Sequence, residues 1–184
     1  MNLILGTANF GNDYGKRLEK EECFRILDRA KELGVWAIDT AQSYGNSPNI
    51  IQEWNGGLKI FSKMNVNEEY PSYANYILAH NQKESHPLGR KLHGTSYYTT
   101  DIVSIYGFIQ AQFNPIDFSF KDWANQERFI ARSIFCGGKL QRGNNEDTAR
   151  LVFGFLKSHD VKNCVFGVES IEELELNMRI ANEK

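Results

Sequence analysis

Three cysteines in 184 residues, Cys23, Cys136 and Cys164, are too few and too scattered for a disulfide framework. None belongs to a CxxC or stands beside a histidine at metal-ligand spacing, so they read as reduced thiols in a cytoplasmic protein, with no metal. No apolar run approaches the length of a membrane span. The amino terminus, MNLILGTANFG, is apolar for only a few residues and lacks the basic stretch and long apolar core of a signal peptide, so it reads as a strand. Excess charge of one sign is also missing: the net charge is −2 and no basic stripe appears. That removes the electrostatic reason to expect nucleic acid or an anionic membrane as a partner. Repeats, low-complexity tracts and linkers are absent as well, so residues 1–184 read as a single domain. With 41% hydrophobic and 24% charged residues, a chain of this length can bury a core, and a small molecule is the default partner.

What is present is a series of eight apolar, β-rich runs: Leu3 to Thr7, Trp36 to Asp39, Lys59 to Lys63, Tyr76 to His80, Lys91 to Ser96, Phe108 to Phe113, Phe129 to Phe135 and Asn163 to Val168. No two consecutive runs are joined by a two-residue turn, and the chain between them is long enough for crossovers, which favours parallel pairing. Eight parallel strands close into a (β/α)8 TIM barrel of the α/β class. Apolar residues at helical spacing mark helices over Lys20 to Leu33, ended by Gly34, over Asp147 to Ser158 and over Ser170 to Ala181. The segments after the second, fifth and sixth runs allow at most a short helix. Those after the third and fourth each carry a proline and no apolar helical face. Barrels of this kind usually need about 250 residues, so several wall helices must be shortened or missing. Tyr70, Tyr73, Tyr97, Tyr98, Phe118, Phe120 and Trp123 fall near the gaps, where they fold over the wall or the wall is covered by a second copy in a homodimer.

The chemistry-bearing residues sit at the ends of successive runs. VWAIDTAQSY carries Asp39 at a strand end and Tyr44 in the loop beyond, Lys63 closes KIFSKM, and His80 closes YILAHN. In a parallel barrel all strand C-termini open on one face, which would bring the four together. Taken singly, each has a plain alternative: a turn-forming Asp, a loop Tyr-Gly pair, an exposed strand-end Lys and a satisfied core His. His93, inside KLHGTS, is a rival to His80, but a mid-strand position favours a structural role.

With these blocks in hand, the sequence resembles the aldo-keto reductases. The likeness runs through LGTANFG, GVWAIDTAQSYGNS, the Lys of IFSKM, the His of ILAHN, GTSYY, FIQAQFNPID, ARSIFCGGKL and FGVESIEELELN. The Asp-Thr-Ala-x-x-Tyr-Gly block is its specific part. The resemblance implies that Asp39, Tyr44, Lys63 and His80 are catalytic, that the substrate is a small carbonyl compound and that the cofactor is NAD(P)H. Tyrosine would be the proton donor, its phenol acidified by the lysine, with the aspartate holding the lysine and His80 orienting the carbonyl. The resemblance also implies that Ser96 and Gln110 hold the nicotinamide carboxamide. Phe135, an aromatic near the end of the seventh run, is placed to lie against the ring. No GxGxxG follows the first strand. Gly137, Gly138 and Gly167, with the start of the final helix, stand where barrels commonly bind phosphate.

Two departures stand out. The chain is much shorter than the family norm. In addition, Gly167 and Glu173 occupy positions where many members carry a Lys and an Arg for the extra phosphate of NADP, which implies a slight preference for NADH unless Lys139, Arg142 or Arg179 compensates. Ser170 and Glu173 also form an S-x-x-E capping box, a structural reason for that carboxylate. Two other functions stay open at this level. One is a barrel with little or no catalysis that acts as a binding or scaffold protein; the other is a lyase or isomerase that uses Tyr44 and Lys63 as acid and base.

Overall fold

The computed structural model describes all residues except 12–15, 84–90, 102, 105, 141–144 and 184. Eight parallel strands form a closed barrel in sequence order. They are β1 (Asn2–Gly6), β2 (Ala37–Ala41), β3 (Lys59–Met64), β4 (Tyr76–Ala79), β5 (Gly94–Tyr97), β6 (Phe108–Gln112), β7 (Phe129–Arg132) and β8 (Asn163–Gly167). Closure joins β1 to β8 over five register pairs, Asn2 with Asn163 through Gly6 with Gly167. The β7–β8 seam has only two pairs. There Asn163 supplies the missing cohesion: its Nδ2 donates to the carbonyls of Glu127 at 2.7 Å and Phe129 at 3.0 Å, and its Oδ1 accepts from Asn2 at 2.9 Å.

Each strand alternates between the barrel interior and the outer wall. The inward set Ile4, Ala37, Phe61, Leu78, Ile130 and Val165 forms a cluster of its own, with Trp36, Tyr76 and Phe108 packed on it. Phe61 is the hub, its ring centroid 4.5 Å from Tyr76, 5.2 Å from Phe108 and 5.6 Å from Trp36. This aromatic plug fills one end of the barrel and leaves the other for polar side chains.

The wall is uneven, as the chain length requires. Helix α1 (Lys20–Glu32) buries Cys23, Ile26, Leu27 and Ala30, a single face at helical spacing. It ends before Gly34, whose φ of 79° a residue with a Cβ would adopt only under strain. Helix α2 (Ser47–Trp54) carries Pro48 in its first turn and is short, matching the expectation for that segment. Helix α3 (Glu146–Ser158) is capped by Asn145, whose side chain accepts from Thr148 N at 3.1 Å. Helix α4 (Ile171–Asn182) is capped by Ser170, which accepts from Glu173 N at 3.2 Å. The Glu173 carboxylate reaches back past the cap and accepts from Glu169 N at 2.6 Å, so half of the expected capping box is present and the other half is shifted one residue before Ser170.

Between β3 and β7, the described residues contain no α-helix, only a single 3-10 turn at Lys121–Trp123. Several outward residues there are nonetheless covered: Ser62, Ile77, Ala79, Tyr97 and Ile109 are all at most 4% exposed within one chain. Tyr73 reaches over the wall to hydrogen-bond Ser62 Oγ at 3.2 Å and Gln42 Oε1 at 3.0 Å. Phe120, itself buried, packs beside Tyr97 and Phe129. Among the described residues loops thus take over much of the wall cover, while Ile60 and Thr95 on the same flank stay half-buried. Of the aromatics expected at the gaps, Tyr70, Tyr98 and Phe118 remain exposed.

Two strand ends differ from expectation by three residues, the others by at most two. β5 begins at Gly94, although the backbone of the preceding His93 still bonds both neighbours, its N donating to Ile77 O at 2.7 Å and its O accepting from Phe108 N at 2.8 Å; its side-chain Nδ1 takes the Ile77 N–H at 3.0 Å. β7 stops at Arg132 because Ser133 turns to a positive φ of 52°, which no strand tolerates. Among the described residues no helix is long and apolar enough to cross a membrane. Phe61→Ala removes the hub of the interior plug and is expected to cost about 3–5 kcal/mol of unfolding free energy by urea titration. A loss below about 1 kcal/mol would show that the plug does not hold the barrel.

Candidate active site

The C-terminal ends of the strands open on a cleft of about 730 Å³. Asp39, Tyr44, Lys63 and His80 all line it. Strand alternation explains why: Asp39 follows the inward Ala37 by two residues, and Lys63 follows the inward Phe61 by two, so both enter the barrel one layer above the plug. His80 comes two residues after the inward Leu78, and Tyr44 descends from the loop after β2.

Lys63 Nζ donates to Asp39 Oδ1 in an ion pair whose side chains are 2% and 5% exposed. The other carboxylate oxygen accepts from Gln110 Nε2 at 2.6 Å. The Asp39 backbone carbonyl accepts from both the amide and the hydroxyl of Thr7, each at 3.0 Å. The carboxylate is thus held on both oxygens and at its backbone. Lys63 Nζ lies 5.0 Å from the centroid of the Tyr44 ring, and His80 meets that ring nearly perpendicularly at 6.0 Å. His80 Nδ1 is 3.2 Å from Ser43 Oγ, which fixes the imidazole from the loop side.

The electrostatics follow from this depth. Burial raises the Tyr44 phenol above its ordinary value; Lys63 pulls the other way by charge and hydrogen bond, but Asp39 offsets part of that pull. The acidifying pull expected of Lys63 is present, but burial outweighs it and the net shift of the phenol is upward. For Lys63 itself burial lowers the pKa, yet Asp39 and Tyr44 together outweigh it, so the ammonium stays charged. His80 is pushed down, by burial first and by Lys63 second, which leaves a neutral imidazole near neutrality. The set can give up a proton from a phenol, offer a neutral imidazole and keep a fixed positive charge behind both.

Of the other expected residues, Ser96, Phe135, Gly137, Gly167 and Glu173 line the same cleft and Gln110 does not, while the surroundings of Gly138 lie outside what the structure describes. Ser96 and Gln110 are register partners on adjacent strands. Each has a buried oxygen without a hydrogen-bond partner, Ser96 Oγ and Gln110 Oε1. Phe135 packs edge-on against Phe153 at 6.0 Å, so part of its ring serves the core. Gly137 takes a left-handed φ of 64° in the loop after β7. Glu173 is partly buried, and its carboxylate is already engaged by Glu169 N. Among the cations considered as compensators, Arg179 is held by Glu146 and Glu183 away from the cleft, Lys139 does not line it, and Arg142 lies outside the described residues.

Among the lining residues not singled out from the sequence, Asn177, Lys16 and Arg132 carry polar chemistry that bears on the cleft. Asn177 is 3% exposed with Oδ1 unpartnered, and its spacing of four from Glu173 on one helix was the signal that could have found it. Lys16 lines the cleft with Nζ 3.4 Å from the Glu169 carbonyl and 3.9 Å from the Glu22 carboxylate. Arg132 was hidden inside an apolar run. His93 stays out of the cleft, consistent with a structural role. Among the described residues no group of three or more His, Cys, Asp or Glu is placed to hold a metal ion.

Residues 2–86, which contain all four of Asp39, Tyr44, Lys63 and His80, match the sequence model of the aldo/keto reductase family. No curated protein matches the chain in sequence. Solved structures share the fold. The aldo-keto reductase AKR11C1 from Bacillus halodurans, in its holo form, superposes with a TM-score of 0.75 at 17% identity, over 100% of this chain and 87% of that one. Two structures of candidate aldo-keto reductases from Pseudomonas aeruginosa superpose with TM-scores of 0.74 at 18% identity and 0.71 at 17%, each over 98% of this chain and 88% of theirs.

Lys63→Met strands the Asp39 carboxylate with Gln110 alone and is expected to lower stability by about 3–5 kcal/mol; adding Asp39→Asn should recover most of the loss. If the two losses simply add, as a double-mutant cycle in urea would read out, the pair is not coupled in the folded protein.

Proposed function

We propose that this barrel is a shortened aldo-keto reductase, reducing the carbonyl of a small molecule to an alcohol, or the reverse, with a nicotinamide cofactor. The observation that carries the reading is the buried Asp39–Lys63 pair set beside a protonated Tyr44 with neutral His80 at the same cleft. A buried ion pair is seldom the most stable filling for a barrel, so its place at the mouth favours a chemical role.

The residues present suit a nicotinamide. Ser96 Oγ, unpartnered at the cleft, has a hydroxyl to donate to the C=O of a carboxamide; the neighbouring Gln110 has an unpartnered Oε1 as well, but it is fully buried below the cleft lining and serves the Asp39 carboxylate. Asn177 Oδ1 is a free acceptor further along the cleft, and Gly137 and Gly167 border it where backbone N–H groups can meet phosphate. The bound cofactor would supply the hydride. The chain does the rest: His80 donates a hydrogen bond that orients the carbonyl oxygen, and Tyr44 passes its proton to that oxygen as negative charge develops. Lys63 then stabilises the phenolate left behind, while Asp39, locked by Gln110 and Thr7, keeps the ammonium in place.

NADH is the preferred form in this reading. The exposed Gly167 and the carboxylate of Glu173 stand where a 2′-phosphate would need cations, and Lys16, the cation at that end of the cleft, is shared with the Glu169 carbonyl and Glu22. The scaffold alternative draws little support from the shortened wall, since among the described residues much of that wall is covered within the chain. No observation favours a lyase or isomerase over the reductase.

Fluorescence titration with NADH and NADPH, followed by a screen of aldehydes and ketones, tests the proposal. NADH should bind at least as tightly as NADPH; NADPH tighter by tenfold or more would overturn the cofactor assignment. Tyr44→Phe should cut turnover by about 10²–10⁴-fold while the cofactor dissociation constant stays within about threefold. Full activity in that variant would remove Tyr44 from the chemistry.

A further inference from the structure

The cleft holds one guanidinium that the proposed reduction does not use. Arg132 ends β7, lines the cleft and lies with its guanidinium carbon 4.6 Å from the centroid of the Tyr98 ring, which is itself 57% exposed and borders the same cleft. Its protein hydrogen bonds are neutral: Nη2 donates to the Tyr97 carbonyl at 3.0 Å and Nη1 to Ser133 Oγ at 3.4 Å. Its Nε is buried with no acceptor. The other lining cations each have an anion: Lys63 has Asp39, and Lys16 has Glu22. Among the described residues no carboxylate pairs with Arg132, so it is the uncompensated charge of the cleft.

An arginine in that state is costly unless an anion completes it. A guanidinium out of bulk water with a buried, unmade donor lacks the solvation that a carboxylate would restore through charge-assisted hydrogen bonds. Its charge also reaches the reacting groups, acting on both Tyr44 and His80, which places it within range of whatever molecule those two hold. Tyr98 adds a flat apolar surface beside it, suited to an aryl or other planar body.

We infer that Arg132 is a specificity-determining residue that recognises a carboxylate on the substrate, so that the preferred substrates are carbonyl compounds carrying an acidic group. This rests on the reductase reading for its carbonyl half; the recognition of an acid by Arg132 does not. The plane of the guanidinium matches a carboxylate, which a lysine in the same place would match less well.

The test compares 4-carboxybenzaldehyde with its neutral methyl ester, methyl 4-formylbenzoate, in the wild-type protein and in Arg132→Met and Arg132→Lys. The wild type should favour the acid by at least about tenfold in kcat/KM, carried by KM. Arg132→Met should shrink that ratio by about 10- to 100-fold, with Arg132→Lys between them. A wild-type ratio near one, or a ratio unchanged in Arg132→Met while circular dichroism shows the fold intact, overturns the inference. So does a fall in NADH affinity in Arg132→Met with the acid-to-ester ratio unchanged, which would give the guanidinium to the cofactor. Calorimetric binding of the alcohol product 4-(hydroxymethyl)benzoate, against its methyl ester, reads the same preference without turnover. Selective acid binding that is lost in Arg132→Met, in a protein that reduces neither aldehyde, would sustain this inference while ending the reductase reading.

Discussion

The Asp39–Lys63 pair is the constraint on which the rest of the molecule turns. Two opposite charges, both almost fully out of water, survive in a barrel only if each is paired and hydrogen-bonded, because the desolvation penalty otherwise exceeds the attraction. That condition explains why Gln110 points its amide at the free carboxylate oxygen and why Thr7 holds the Asp39 carbonyl from the next strand. It also explains the layering of the interior, with aromatics around Phe61 filling one end and the polar layer above them opening on the cleft. An apolar filling would hold the barrel at less electrostatic cost, so the pair is understood best through what it does to Tyr44 and His80.

Among the described residues the shortened wall is an economy of helices more than of cover. Residues such as Tyr73 and Phe120 reach further than a small side chain in a helix would, and a few aromatics on loops bury what helices bury elsewhere. Where helices remain, after β1, β2, β7 and β8, they flank β1 and β8, the strands that carry the end of the cleft bordered by Gly167 and Glu173. The capped start of α4 and the loop after β7 thus rest on the best-supported part of the wall, which suits a region expected to grip a large cofactor.

Much of this was legible in the residues themselves. The eight strands show in the sequence because a parallel barrel buries both faces of each one, leaving near-continuous apolar runs. The four ionisable residues at consecutive strand ends are legible because parallel topology sends all such ends to one face. Other features depend on tertiary distances that no local pattern encodes. Whether the outer flank is bare depends on where Tyr73 and Phe120 reach. The direction of the Tyr44 shift depends on how burial, Lys63 and Asp39 balance, and only the folded arrangement sets that balance. Arg132 was invisible because FIARSIF reads as one unbroken strand, while the chain in fact turns at Ser133 and leaves the arginine at the mouth.

The central claim is that burial keeps the Tyr44 phenol protonated beside a charged Lys63, so that it stands ready as the proton donor. The ring-carbon NMR signal of Tyr44, in protein labelled with 13Cζ-tyrosine and assigned by its disappearance in Tyr44→Phe, reports that proton directly during a pH titration. The account predicts a titration midpoint above about pH 10, the ordinary value for tyrosine. A midpoint below about pH 9 would contradict it and would show that the field of Lys63, not burial, governs the site.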